Sequence, residues 1–519
     1  MFSRRTLAAL LFSCIVVATR GQQDDDDDNE FQSPDAYTQD DVENEAIERA
    51  MVGMMHNDFL YVGIETDSDL DEENVGGTDI VVRMFDPDDL AKEAGVQYGG
   101  DGDDTLMGMA AGTIDIVIVG STYSDDDHLF GLDTPTGEMD WYIAKLDRDN
   151  LSVVDDYVYV NGTTNDDQEA TAVAVASDGG FVVAGWTWGE YFEENAGADN
   201  NDDSVGFDAW VVKLDEDFDF EWEVQFGTIV YDIPSKVVLD SDDNIYVIGT
   251  SADYSNITSA EEQGEIQSMF VYKLDPSDGS TSWSVTTDLG YLEDESAAYG
   301  AVLSEDESEL YVSGNTKGII GDFDGDATDS AELFLVSLDV DDGDINWVWQ
   351  SEANATAFGT GGVVLAEDGS PIVGGVAFGN QFNLTSDYWE GGSGDMIAVK
   401  VDIDTLEVVK YFNAPAASNL TEERPMAMVK VDDVDDGVFL IGYEDGDFED
   451  EDVEPSDDDY NYLVLKVELD DLPEEDDDSD SEWGFTFYYC GAAVFGVGIV
   501  LFAFAYKCAE SSQRALEKK

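Results

Sequence analysis

The long middle of this chain contains no cysteine: Cys14, Cys490 and Cys508 all lie near its ends. No disulfide can staple that middle. This excludes the small cross-linked modules common outside the cell and requires a large, regular fold held by its own core. Histidine is nearly missing too, with only His56 and His128. His56 reads as part of a hairpin turn and His128 as part of an acidic loop, both at the surface. The sequence has no G-x-S-x-G elbow, H-E-x-x-H helix or P-loop, so no catalytic motif marks it as an enzyme. Base is scarce: 21 Lys and Arg stand against 120 Asp and Glu, a net charge of −99 over 519 residues. Binding to nucleic acid or anionic lipid depends on neutralising phosphate with Lys and Arg, so both are excluded. Apolar residues are not scarce. At 43% hydrophobic and 11% aromatic, the composition suffices for a core, and the acidity does not imply disorder.

The two ends set the location. In residues 1–21, Arg4 and Arg5 precede an apolar run from Leu7 to Ala18 and then small residues. That is the layout of a cleaved secretory signal, and about 12 apolar residues are too few to span a bilayer. Residues 484–506 are apolar and uncharged. As a helix they would be about 35 Å long, enough to cross a hydrocarbon core of about 30 Å. Trp483 and Tyr506 edge this segment, Lys507 follows it, and an acidic stalk at 471–483 precedes it. The basic flank stays cytosolic, which predicts a single-pass type I membrane protein of the secretory pathway, its ectodomain outside the cell and its tail at 507–519 inside. Six N-x-S/T sequons, at Asn150, Asn161, Asn256, Asn354, Asn383 and Asn419, fall in the translocated part and predict a glycoprotein. The signal carries Arg4, Arg5 and Arg20, and the tail is also net positive, so the extracellular part holds a charge of about −104.

Between the ends the sequence repeats. An apolar strand ending in glycine recurs at Gly63, Gly120, Gly185, Gly249, Gly314, Gly375 and Gly442, with a mean spacing of about 63 residues. A second strand follows each, as in MDWYIAKLD and FDAWVVKLD. Its basic position is held by Arg83, Lys145, Lys213, Lys273, Lys400 and Lys466, with Ser337 the exception. Turn pairs such as Asp178-Gly179 join the first two strands of a unit. A fourth strand often begins with Trp, as at Trp222, Trp283 and Trp347. Four short strands repeated radially make a β-propeller, with an open solenoid as the rival arrangement. The fold class expected is all-β: a seven-bladed β-propeller ectodomain over 43–470, plus one C-terminal transmembrane α-helix. Residues 22–42 read as an acidic linker. The last unit lacks its Trp-type strand, and the segment 30–33 is expected to supply it and close the ring.

The units resemble the SBBP-type β-propeller repeats and, more distantly, quinoprotein-like propeller repeats. Asp208 to Asp215, Ile245 to Gly249, and the L-D-x-x-x-G-x-x-x-W forms ending at Trp283 and Trp347 carry the likeness. It implies the fold. It implies no activity, because propellers host many unrelated functions. The vicinal cysteine pair often found in calcium-dependent quinoprotein dehydrogenases is absent.

Among chemical candidates, the loop GDFDGDATDS places Asp322, Asp324, Asp326 and Asp329 around Gly325, a pattern suited to calcium; Asp67, Asp69 and Asp71 form a weaker cluster. No other cofactor is expected. The repeated bases are expected to pair with nearby acids, and Trp141, Trp210, Trp222, Trp283 and Trp347 to pack the blades. The function expected is a non-enzymatic binding or adhesion module for an extracellular protein, a glycan or cations. The alternative is an extracellular hydrolase or lyase using carboxylates or calcium on the propeller's top face.

Overall fold

A computed structural model of the chain describes residues 36–38 and 46–471, except 73, 113, 124–128, 132–138, 161–166, 190–205, 229–230, 255–264, 287–295, 321–330, 352–355, 379–393, 414–421, 433 and 446–459. Among the described residues no helix is long and apolar enough to cross a membrane. The expected signal at 1–21 and span at 484–506 lie outside them.

The strands form seven antiparallel sheets, the blades of a β-propeller. Blades 1 to 6 cover 48–98, 108–160, 168–226, 231–286, 296–350 and 356–413, each with its strands in chain order. Blade 7 takes three strands from 422–468 and its fourth, Ala36–Thr38, from the N-terminal side of the chain. Ala36 faces Lys466 and Thr38 faces Val464. The missing strand is therefore supplied from upstream of blade 1, just beyond the 30–33 segment that sequence suggests. The chain leaves blade 7 through Asp470–Asp471, which pair with the outer strand of blade 6. First strands of successive blades touch all the way round, including blade 7 against blade 1. The ring is closed, and the solenoid alternative is excluded.

The recurring glycine has a specific cause. Most first strands bulge out by one extra residue, for example between Ala170 and Ala172, between Pro234 and Lys236, and between Pro425 and Ala427, and blade 6 has a wider irregularity between Phe358 and Gly362. The glycine of the second strand lies across from this bulge. A Cβ on Gly185 would sit 2.0 Å from the Glu169 carbonyl oxygen, and one on Gly442 would sit 1.9 Å from that of Arg424. Only a residue without a side chain fits there.

Each of the seven core clusters lies between two neighbouring blades. One joins Val182, Val211 and Trp222 of blade 3 to Val247 and Phe270 of blade 4, and another joins Phe334 of blade 5 to Ile248 of blade 4. Middle strands are thus buried on both faces, so FVVAG and DAWVVKL read as continuous apolar runs instead of alternating ones. The outer strands lock onto the next blade. Trp222 donates its indole N–H to the Pro276 carbonyl at 2.9 Å, and Trp283 donates to that of Val340 at 3.0 Å. Each indole covers a glycine of the next blade's turn, Gly279 (φ 70°) and Gly343 (φ 78°), where a Cβ would come within 2.6 and 2.7 Å of the ring.

Candidate functional site

The Asp322, Asp324, Asp326 and Asp329 loop lies outside the described residues, as do His128 and the sequons at Asn161, Asn256, Asn354, Asn383 and Asn419. Asn150 is described and sits exposed on the turn after the third strand of blade 2, its side-chain oxygen accepting the Ser152 N–H at 2.9 Å. The Asp67, Asp69 and Asp71 cluster does not converge. Asp67 accepts the Ile47 N–H at 2.8 Å, Asp69 accepts that of Asn74 at 2.9 Å, and Asp71 pairs with Arg83 at 2.7 Å and with Lys92. Among the described residues no group of three or more His, Cys, Asp or Glu is placed to hold a metal ion. His56 stays at a hairpin end beside Asn57, its pKa lowered by burial and then by Arg148.

The repeated bases are largely buried, and most of them hold neighbouring blades together. Lys400 pairs with Asp368 of its own blade and Asp436 of blade 7, both at 2.7 Å. Lys213 stays within blade 3, on Asp178 at 2.6 Å and Glu221 at 2.8 Å. For both lysines burial opposes the charge, but the two carboxylates outweigh it and the pKa rises. Lys145 and Lys273 instead donate to backbone oxygens of the next blade, Glu216 and Val340, and lie against aromatic rings. Arg83 reaches back to the Tyr462 hydroxyl of blade 7 at 2.6 Å. At Ser337, where the base is missing, Glu309 accepts from the serine hydroxyl and the Asn346 amide, both at 3.0 Å. Acid pairing accounts for part of this series, and blade-to-blade clasps account for the rest.

At the ends of the strands that feed the long acidic loops, carboxylates are buried between blades 1, 2 and 3. Glu65, near the end of blade 1's second strand, accepts the Leu106 N–H of blade 2 at 3.3 Å. Burial, reinforced by the charge of Glu169, pushes its pKa up to about 7. Glu169, at the start of blade 3, accepts from Trp186 at 2.9 Å, Thr105 at 3.1 Å and Ser121 at 3.2 Å. Burial still raises its pKa. Asp104 accepts the Gly100 N–H at 2.6 Å, and burial with the nearby Asp79 charge pushes it up to about 7. Tyr142 is buried among these acids and donates to the Thr105 carbonyl at 2.7 Å. Beside Glu169, Phe207 lies against both Trp186 and Trp188, at 4.5 and 4.6 Å between ring centroids, and Trp188 is 42% exposed.

Sequence reasoning missed a glutamine latch. The Gln97 amide donates to the Ser68 carbonyl at 2.8 Å and to Asp79 at 2.9 Å, while its oxygen accepts the Leu70 and Asp71 N–H groups. Gln225 bridges Gly189 and Asp208 in the same way, and Gln350 bridges Gly318 and Glu332. Each glutamine ties an outer strand to the root of an acidic loop. The signal was there to find: V-Q-Y-G at 96–99, V-Q-F-G at 224–227, and W-Q at 349–350 recur in register.

No family model matches the sequence, and no curated protein does. Similar solved structures include a puromycin-hydrolyzing peptidase from Mycobacterium tuberculosis, 12% identical with a TM-score of 0.43, covering 82% of this chain and 53% of the other. An acylaminoacyl peptidase from Pyrococcus horikoshii is 9% identical with a TM-score of 0.39, covering 81% of this chain and 52% of the other. The β-propeller domain of the Trilobed protease from Pyrococcus furiosus is 11% identical with a TM-score of 0.40, covering 84% and 99%. This chain thus spans about half the length of the two peptidases.

Proposed function

We propose that the chain is a single-pass type I membrane glycoprotein of the secretory pathway, its propeller a non-enzymatic binding module displayed outside the cell. The uncharged run at 484–506, the signal-like 1–21 and the six sequons support the location. One observation carries the binding reading: among the described residues, most of the repeated bases and the buried Glu169 are committed to building the ring. The repeated bases clasp blades, and Glu169 receives hydrogen bonds from three side chains. The remaining surface is dominated by acid, which suits a protein or glycan partner carrying positive charge, or cations themselves, calcium among them.

The hydrolase reading is kept because Glu65 and Glu169 flank Thr105 with raised pKa values beside an exposed tryptophan, a setting that acid–base chemistry uses. One experiment separates the two. Full-length protein displayed on cells is tested for capture of oligolysine and of a neutral glycan panel, with released products followed by mass spectrometry. Salt-sensitive capture of oligolysine without turnover is expected. Turnover abolished by Glu169→Gln would overturn the binding reading. In a parallel melt, equal stabilisation by calcium, magnesium and sodium at matched ionic strength would remove the calcium site.

A further inference from the structure

The first strands of the seven blades line the ring's axis, and their bulges make one level around it. The residue after each bulge is Val52, Gly108, Ala172, Lys236, Gly300, Gly362 or Ala427 in blades 1 to 7. Six of the seven are small, and packing explains why. A Cβ on Gly300 would come within 2.5 Å of the Gly362 Cα, and one on Gly108 within 3.3 Å of the Ala172 Cα. Lys236 alone is long and charged. Its side chain is exposed, on a first strand whose other edge is paired within the blade.

The environment of Lys236 is unlike that of the other desolvated bases. Although water reaches Lys236, the surrounding ring desolvates it and lowers its pKa, and among the described residues no carboxylate pairs with it; Lys145, also lowered, has Asp115, Asp217, Glu216 and Asp215 around it. A cation with no carboxylate beside it among the described residues is out of place in a chain with 120 acids. The neighbouring bulge residue, Tyr299 of blade 5, is 39% exposed. Although it is partly exposed, desolvation by the surrounding ring raises its pKa, so its hydroxyl remains a donor. At the same level, blades 7, 1 and 2 present Met426, Met51 and Met107. All three are partly exposed, and none packs into a core cluster, although Met54, Met55, Met109 and Met428 on the same strands do. Thioethers are soft, adaptable contact surface for apolar ligands.

We propose that the channel at this level binds a small organic carboxylate with an apolar body, the carboxylate on Lys236 and Tyr299 and the body against Met426, Met51 and Met107. A lone ammonium with a phenol donor fixes an anionic head, and an apolar wall selects against inorganic anions.

The test uses full-length protein in a non-ionic detergent and 4-phenylbutyrate as probe, read by calorimetry at 0.15 M salt. Inorganic phosphate and 4-phenylbutylamine serve as controls. One molecule of phenylbutyrate per chain is expected, with neither control competing. Lys236→Ala restores the residue that blades 3 and 7 carry at this position, so its melt should stay unchanged while affinity falls at least tenfold. Lys236→Arg should retain binding, and Met107→Thr, the blade 3 residue, should weaken it several-fold. Absence of saturable binding, undiminished affinity in Lys236→Ala, or competition by phosphate at equal concentration would each overturn the proposal.

Discussion

Glu65→Gln should make the protein more stable at alkaline pH and leave it nearly unchanged in mild acid. Glu65 is buried, and its pKa rises from 4.5 to about 7. Below pH 4.5 the group is neutral in both folded and unfolded chains and contributes nothing. Between pH 4.5 and 7 the unfolded chain releases the proton while the folded chain keeps it, so the folded state binds more protons and stability falls as pH rises. The full loss corresponds to about 3 kcal/mol, reached above pH 7. Repulsion within a chain of net charge −99 also grows with pH, but it acts nearly equally on wild type and variant, so their difference isolates Glu65. Gln keeps the oxygen that accepts the Leu106 N–H. Urea unfolding of both proteins, followed by tryptophan fluorescence from pH 5 to 8.5, stays above the sequence pI of about 4.1. The stability difference should widen by about 2–3 kcal/mol across that range in favour of the variant. A difference that stays flat with pH would show that Glu65 titrates normally and that its burial is misread.

Three further outcomes follow from the packing. Gly179 has φ 89° and open space around it, so Gly179→Ala should cost only about 1 kcal/mol of backbone strain. Gly279→Ala, which also meets the Trp222 ring, should cost about 2–3 kcal/mol more in urea unfolding; equal costs would refute the lock. Lys400→Met leaves the buried Asp436 with Lys410 alone, at 2.8 Å, and should cost about 2–3 kcal/mol, whereas Lys213→Met, whose partners are 53% and 44% exposed, should cost about 1. The reverse order in denaturation midpoints would contradict the clasp. Deleting residues 22–38 should lower the melting temperature, while deleting 22–34 should not, because only the former removes the strand Ala36–Thr38.

The period was legible because two features recur in register: the glycine across from the bulge, and the base that precedes the second bulge, as at Lys213 and Lys273. Both reflect constraints that every blade imposes on its own sequence. Trp222 and Trp283 could be assigned to packing for the same reason, although their glycine partners belong to the following blade. What stayed hidden depends on contacts between units. Glu65 and Asp104 look like any other acid among 120, since burial at a blade junction leaves no mark in local periodicity. Asp67, Asp69 and Asp71 have the spacing of a cation loop, yet Asp71 turns to Arg83, a partner that only the folded sheet brings near. Where acid is this abundant, alternating aspartates say little by themselves. Lys236 escaped notice because its significance lies in the small residues that the other six blades place at its level.

The pairing of Ala36 with Lys466 sets a timetable for biosynthesis. The closing strand is made before its partner, which follows roughly 430 residues later, on the order of 20 to 90 s at about 5–20 residues per second. Throughout that interval blade edges stand open, and exposed strands recruit one another. Nascent copies of this chain meet as strongly like-charged bodies, and the acidic loops that later decorate the ring act first as spacers between unfinished ones. On this view charge density is set as much by the minute before closure as by anything the finished surface binds.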